Sequence, residues 1–408
     1  MADHRLNKFL SHNSRSFTLI EMLITVAIIA VLMTVVVLAI NPNEMTKKAR
    51  DTQRLTDISN LQMIMELARS EGMLNVSYCD GTKIYASLPS ETPLSNSNLP
   101  AGVSWAQVSR DNIRNADGTG WLPFNFKNLV GLQVTVLPVD PKNSLNDSLY
   151  YTFYCNPQRQ YIFTAYPESK TFGPKGGKDS KTIADGGPDP YVYEVGNNLF
   201  ISPLKPVGSW SFEEGGGTIA ADSSGNNNNG TLMNGPTWTT GQVGSALSFD
   251  GVDDYVEIAS SQSLNPGSNN MTIEVWFKLN SVGVLNGSIL YNKENLYEIS
   301  AGGGYFTYAW LPHWAWDGGT SFPVNVGEWY HAVVVYDHSK QYVYKNGQIV
   351  YSRNQTGDIG TNANALRIGA RGAPGGAYSF FPGIIDEPRI YNRALSAEEI
   401  KRHYEESK

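Results

Sequence analysis

The chain has 408 residues, 41% hydrophobic and 17% charged, with 39 Gly, 22 Tyr and 9 Trp; that length exceeds one ordinary core and implies two or three domains. A net charge of −7 with no basic stripe beyond the N-terminus argues against a nucleic-acid surface, so none is expected among the partners. Cys79 and Cys155 stand far apart with no CxxC or Cys/His grouping, which argues against a zinc site. In an exported chain the two form one disulfide; otherwise they are separate structural thiols.

Residues 1–16 are polar, with Arg5, Lys8 and Arg15 against the single acid Asp3. From Phe17 to Ile40 runs an apolar stretch with one charge, Glu21. At about 1.5 Å per residue, Met22 to Ile40 spans roughly 28 Å of hydrocarbon. The basic flank keeps the N-terminus cytoplasmic and puts everything after Ile40 outside. A secretory signal peptide fails on order, because Asn41-Pro42-Asn43-Glu44 follows the apolar run where small cleavage-site residues belong.

A carboxylate at the edge of a span is costly unless paired and marks function. Ser16-Phe17-Thr18-Leu19-Ile20-Glu21 resembles the prepilin peptidase site of type IV pilins and secretion pseudopilins. That resemblance implies cleavage between Ser16 and Phe17, methylation of the new amine, and pairing of the Phe17 amine with Glu21 of a neighbouring subunit. Ser16 stands where the family usually has Gly, so slower cleavage is expected. Beyond Pro42, Leu55, Ile58, Leu61, Met65 and Leu67 or Ala68 recur at helical spacing. The expected spine is one helix from Phe17 to Gly72, bent at Pro42 and capped at Gly72. The run Lys47-Lys48-Ala49-Arg50-Asp51 reads as a solvated helix face.

Residues 73–200 form a turn-rich, pilin-type head. Tyr150–Tyr154 and Tyr161–Ala165 read as strands joined through Asn156-Pro157-Gln158-Arg159. The loops Leu137–Pro141 and Gly186–Tyr191 resemble those of pseudopilin heads, and the resemblance makes Asp185 and Asp189 possible calcium ligands there. A Gly/Asp-rich linker is the other reading. Thr171–Asp189 looks loose enough to be a hinge.

From about residue 205 to 408 short alternating strands are separated by Gly/Asn/Ser turns, the pattern of a large antiparallel sandwich. Ser396-Ala397-Glu398-Glu399 starts a closing helix. Four blocks carry a second resemblance: Trp210–Glu213 with Asp222–Asn226, Gly244–Val256, Glu328–Val333, and Gly383–Ser396. Together they are similar to laminin G-like, concanavalin A-like jelly-roll domains, many of them glycan-binding and adhesive. The resemblance implies a structural calcium ion held by Asp222 and Asp386, with carbonyls of the 225–229 turn. The alternatives are an Asx-turn for Asp222 and a salt bridge to Arg389 for Asp386. Asp250, Asp253 and Asp254 read as a tight turn.

An enzyme is not expected. Related jelly-roll glucanases carry a Glu-x-Asp triplet on one strand, and paired carboxylates about 5–5.5 Å apart serve retaining hydrolysis; neither that triplet nor a GxSxG elbow occurs. After Pro312, Trp314 and Trp316 fall on one side with His313 and Asp317 nearby, a pattern suited to stacking and hydrogen-bonding a sugar ring. The alternatives are indoles folded over the sandwich edge, or a protein ligand.

The expected architecture is α+β: leader 1–16, transmembrane and stalk helix 17–72, small antiparallel head 73–200, and all-β sandwich 205–408. The expected role is a homo-oligomeric pilus-like filament subunit, stored in the cytoplasmic membrane, cut by prepilin peptidase, and displaying a lectin-like domain to surface glycans. A pseudopilin of a secretion or DNA-uptake machine is the alternative, and a tethered glycan hydrolase a weaker one.

Overall fold

The computed structural model describes residues 18–74, 77–267, 270–284, 287–310, 321–373 and 376–408, excluding the side chains of 35–40, 310 and 373. Helix α1, Leu19–Ile40, opens on a capping box: Thr18 accepts from the Glu21 amide, and the Glu21 carboxylate accepts from the Thr18 amide at 2.9 Å. Its large apolar residues from Leu19 to Met33 all face outward, 51–85% exposed. Among the described residues no helix is long and apolar enough to cross a membrane; the side chains completing this run, 35–40, lie outside that set.

The expected continuous spine is two helices. Asn41 has left-handed backbone, φ 45°, and its side chain then caps α2, Pro42–Ser70. Asn tolerates that conformation, and Pro42 in the first turn of α2 loses no intrahelical bond. The break therefore belongs to Asn41. At the far end Gly72 has φ 75°, with Met73 N–H donating to Ala68 O and Gly72 N–H to Arg69 O, a Schellman stop.

Helix α2 buries Ile58, Leu61, Ile64, Met65 and Ala68 in a core shared with Trp121, Phe124, Phe153, Tyr161 and Phe163 of the head. The head sheet runs Ser104–Ala106, Lys83–Ala86, Thr152–Cys155, Tyr161–Ala165, Tyr193–Gly196, antiparallel except for its first pair. A disulfide joins Cys79 to Cys155 at one end of this core.

The charged run at the start of α2 is not solvated throughout. Asp51, 2% exposed, accepts from the amides of Glu168 and Ser169 at 2.8 and 2.7 Å. Arg54, equally buried, pairs with Asp51, Asp140 and Glu168 at 2.7, 2.6 and 2.7 Å. Glu44 holds the Lys170 amide. These carboxylates pin residues 168–170 at the entrance to the segment that the sequence suggests is a hinge, and Phe172, Ser180, Thr182 and Asp189 are buried along it. The segment is a packed strap.

The sandwich has two eight-stranded sheets. The first contains, in spatial order, Gln348–Asn354, Lys340–Lys345, Trp329–Tyr336, Met271–Leu279, Pro382–Tyr391, Ser245–Asp250 and Thr237–Thr240, with Gly208–Ser209 also on the Pro382–Tyr391 strand. The second runs Phe322–Pro323, Tyr305–Trp310, Tyr297–Gly302, Ile289–Lys293, Leu366–Ile368, Tyr255–Ile258, Gly230–Met233, Ile219–Ala220. Alternating residues such as Ile273, Val275 and Phe277 fill the space between them. Trp210 is fully buried, its indole N–H donating to Asn228 O at 2.8 Å.

Helix α3, Ala397–Ser407, starts from a Ser396/Glu399 capping box and packs between sandwich and head. His403 lies on Tyr191, and the Glu274 carboxylate accepts from both His403 and His331 at 2.8–3.0 Å. Burial works to raise Glu274, but the two histidines outweigh it and hold the group well below the usual carboxylate range. Arg393 reaches the Leu204 carbonyl at 2.9 Å.

Candidate metal and glycan sites

Asp222 is consumed by its own loop. One carboxylate oxygen accepts from the amides of Ser209 and Ser224 at 3.0 and 2.9 Å; the other accepts from the Asn228 amide and Ser224 hydroxyl, both at 2.8 Å. This is the Asx-turn role.

Asp386 is different. It is fully buried; Oδ2 accepts from the Gln242 and Val243 amides at 2.8 and 2.9 Å, while Oδ1 has no hydrogen-bond partner among the described residues. Burial, with Glu213 nearby, pushes its carboxyl up to about 7. Among the described residues Asp222 and Asp386 share no hydrogen-bond partner, and the Arg389 side chain bonds Glu387 rather than Asp386.

A carboxylate near enough for its charge to raise Asp386 is Glu213, unassigned by the sequence reading although it ends the Trp210 block. Glu213 accepts from the Ser245 amide at 3.0 Å, and burial raises its carboxyl too. The turn between Thr237–Thr240 and Ser245–Asp250 is cut to fit both acids. A Cβ on Gly241 would stand 2.4 Å from Asp386 Oδ2, and one on Gly244 would stand 2.1 Å from Glu213 Oε1. An orphaned buried oxygen, a second carboxylate and a turn with glycines at both ends suit a hard divalent cation. Of the two acids expected from sequence, Asp222 has both oxygens taken by its loop and Asp386 keeps one open. Glu213, Val243 and Gly244 also line a cleft of about 740 Å³ that Lys175 and Tyr191 close from the head.

In the head, Asp185 accepts from the amides of Gly187 and Glu194, both at 2.8 Å, and the Asp189 amide donates to Glu194 at 3.1 Å. Burial pushes Asp185 up to about 7 and raises Asp189 and Glu194. Asp250, Asp253 and Asp254 cluster in a turn where Asp250 and Asp254 accept backbone amides.

His313, Trp314 and Trp316 lie outside the described residues, as do Ser16 and Phe17. The flanking strands Tyr305–Trp310 and Phe322–Pro323 pair at the edge of the second sheet, with Tyr308 turned into the core. Glu21 is exposed, and its carboxylate is held by the Thr18 amide and hydroxyl.

The prokaryotic N-terminal methylation motif matches residues 11–37, and the concanavalin A-like lectin/glucanases superfamily model matches residues 250–401. No curated protein matches the chain. Among solved structures, the binding domain of Paraclostridial Mosquitocidal Protein 1 is 16% identical at TM-score 0.40, over 49% of this chain and 51% of that one. Domain 4 of AbnA, a GH43 extracellular arabinanase from Geobacillus stearothermophilus in complex with arabinotriose, is 21% identical at TM-score 0.38, over 48% and 97%. The botulinum neurotoxin serotype G binding domain is 13% identical at TM-score 0.38, over 49% and 50%. The chain thus spans about half the length of the two toxin domains. It carries an N-terminal methylation motif joined to a concanavalin A-like domain.

Proposed function

We propose that the chain is a subunit of a type IV pilus-like surface filament whose sandwich binds glycans. The observation that carries the filament reading is α1. It is apolar on every side apart from Glu21, and its large side chains from Leu19 to Met33 find no cover among the described residues. Such a helix needs lipid before assembly and sister helices after it. The methylation motif at residues 11–37 supports the same sequence of events: insertion in the cytoplasmic membrane, cutting by prepilin peptidase between Ser16 and Phe17, then surface display. Glu21 then exchanges its Thr18 contacts for the Phe17 amine of a neighbour, a pairing favoured where water is excluded.

The concanavalin A-like domain supports glycan binding, with Trp314, Trp316 and His313 as the contacts. A binding role, rather than hydrolysis, agrees with the environments of Asp386 and Glu387: one carboxylate is held by backbone amides and the other by Arg389. Calcium, where bound, supplies structural cross-linking at Glu213 and Asp386, tying the Gly241–Gly244 turn to the Pro382–Tyr391 strand.

The test joins mass spectrometry of the mature N-terminus with electron microscopy of sheared surface material. The expected mass lacks residues 1–16, and antibody to residues 205–408 labels filaments along their length. Label confined to tips, or absent outside, would favour the secretion-machine reading; a mature N-terminus at Met1 would overturn both.

A further inference from the structure

A second cavity, of about 250 Å³, lies between head and sandwich. Its mouth is rimmed by exposed Pro93, Ser95, Asn146 and Glu398, and its floor is made of buried Asp189, Glu194, Thr152 and Thr164. Half-buried Trp105 and Tyr150, edge to face at 6.3 Å, and the buried Tyr166 supply aromatic wall.

Acidic groups outnumber basic ones around it. Four acids, Asp189, Glu194, Glu398 and Glu399, face two cations, Lys205 and Arg393. Arg393 is saturated by Glu399 and the Leu204 carbonyl, and Lys205 donates to Ser224 O. Glu194 is 2% exposed; its Oε2 accepts from the Asp189 amide, and nothing among the described residues bonds Oε1. Asp189 is 4% exposed, with Oδ1 on the Tyr191 amide and Oδ2 free in the same sense. Two buried carboxyls with one open oxygen each, beneath aromatic rings, call for a ligand with an apolar face, hydroxyls and an amine.

We propose that this cavity binds one amino-sugar residue, its ring against Trp105 and Tyr150 and its amine on Glu194. The volume corresponds to roughly eight waters at about 30 Å³ each, room for one pyranose but not two. The proposal shares the glycan-binding reading above but not its residues, so the two can fail separately.

The test uses the full-length protein in detergent, titrated calorimetrically with glucosamine, glucose and ethanolamine. Glucosamine should bind at least about tenfold more tightly than either, the expected gain from one charge-assisted hydrogen bond added to ring stacking. Glu194→Gln should erase the preference over glucose, and Trp105→Ala should abolish sugar binding. Asn146→Trp, on the exposed rim, should block entry without touching the core. The double variant Trp314→Ala/Trp316→Ala should bind glucosamine unchanged. Equal binding of glucose and glucosamine, equal binding of ethanolamine, or full binding by Asn146→Trp would each overturn the assignment. Loss of glucosamine binding in the Trp314/Trp316 variant would instead return the sugar to that loop.

Discussion

His403 of the last helix lies flat on Tyr191 of the head, ring centroids 4.0 Å apart and planes 9° from parallel. From the other side Arg389 of the sandwich donates to the Tyr191 hydroxyl at 3.0 Å. Tyr191, just beyond the packed strap, is therefore one of the buried aromatic residues through which head and sandwich meet, with Tyr166, whose hydroxyl donates to Glu399 at 3.4 Å, another.

Tyr191→Phe keeps the stack and strands a buried guanidinium donor, so a loss of about 1–3 kcal/mol is expected. Tyr191→Ala also opens a cavity and should cost about 3–5 kcal/mol. Calorimetry should then resolve separate head and sandwich transitions; one unaltered transition would contradict the docking described.

Arg54 neutralises Asp51, Asp140 and Glu168 at once. Arg54→Met leaves buried carboxylates without their cation and should destabilise the head by about 3–5 kcal/mol in urea unfolding. Arg54→Lys should recover little, because a point charge cannot reproduce the forked geometry.

Burial pushes Glu406 up to about 8, with Arg402 opposing and Asp189, Asp51 and Glu405 reinforcing the shift. A carboxyl raised in the fold contributes stability that is full below its unfolded value and lost as pH rises through its folded value. Between pH 6 and pH 8 the unfolding free energy should fall by roughly 2 kcal/mol from this group. Glu406→Gln should flatten that decline; part of the slope should persist through Asp185 and Asp386, both raised to about 7. A wild-type melting temperature that climbs from pH 6 to pH 8 would contradict this balance.

Calcium should raise the melting temperature with the logarithm of its free concentration once that exceeds the dissociation constant, as mass action requires. Asp386→Asn and Glu213→Gln should each abolish the response. Asp222→Asn should lower the melting temperature yet keep the response, because Asp222 serves its loop. If Asp222→Asn and Asp386→Asn both remove the calcium effect while Glu213→Gln keeps it, the donor set is the one read from sequence.

Much of the fold could be read from sequence because the signals are local. Period-two alternation in Ile273/Val275/Phe277, the Ser396–Glu399 cap and the apolar run into Asn41 each act within a few residues. The strap was misread for the opposite reason: its anchors, Glu44 and Asp51, lie 117–126 residues upstream. On a helix they look like part of a solvated face. The surroundings of the acids were half legible. Asp386 stands out in its block, but nothing in sequence separates a loop-clamping Asp222 from a cavity-facing Glu213; the glycines at 241 and 244 were the available hint.

The strand Pro382–Tyr391 is near the C-terminal end of the sequence yet central in its sheet, flanked by Met271–Leu279 and Ser245–Asp250. While the chain emerges, those two strands wait with open edges for a partner more than one hundred residues away. Such long-range closure is slow and leaves sticky edges exposed. Synthesis of this protein should therefore depend on factors that shield unpaired strands, and a pause or truncation before residue 382 should yield aggregate rather than a partly folded sandwich.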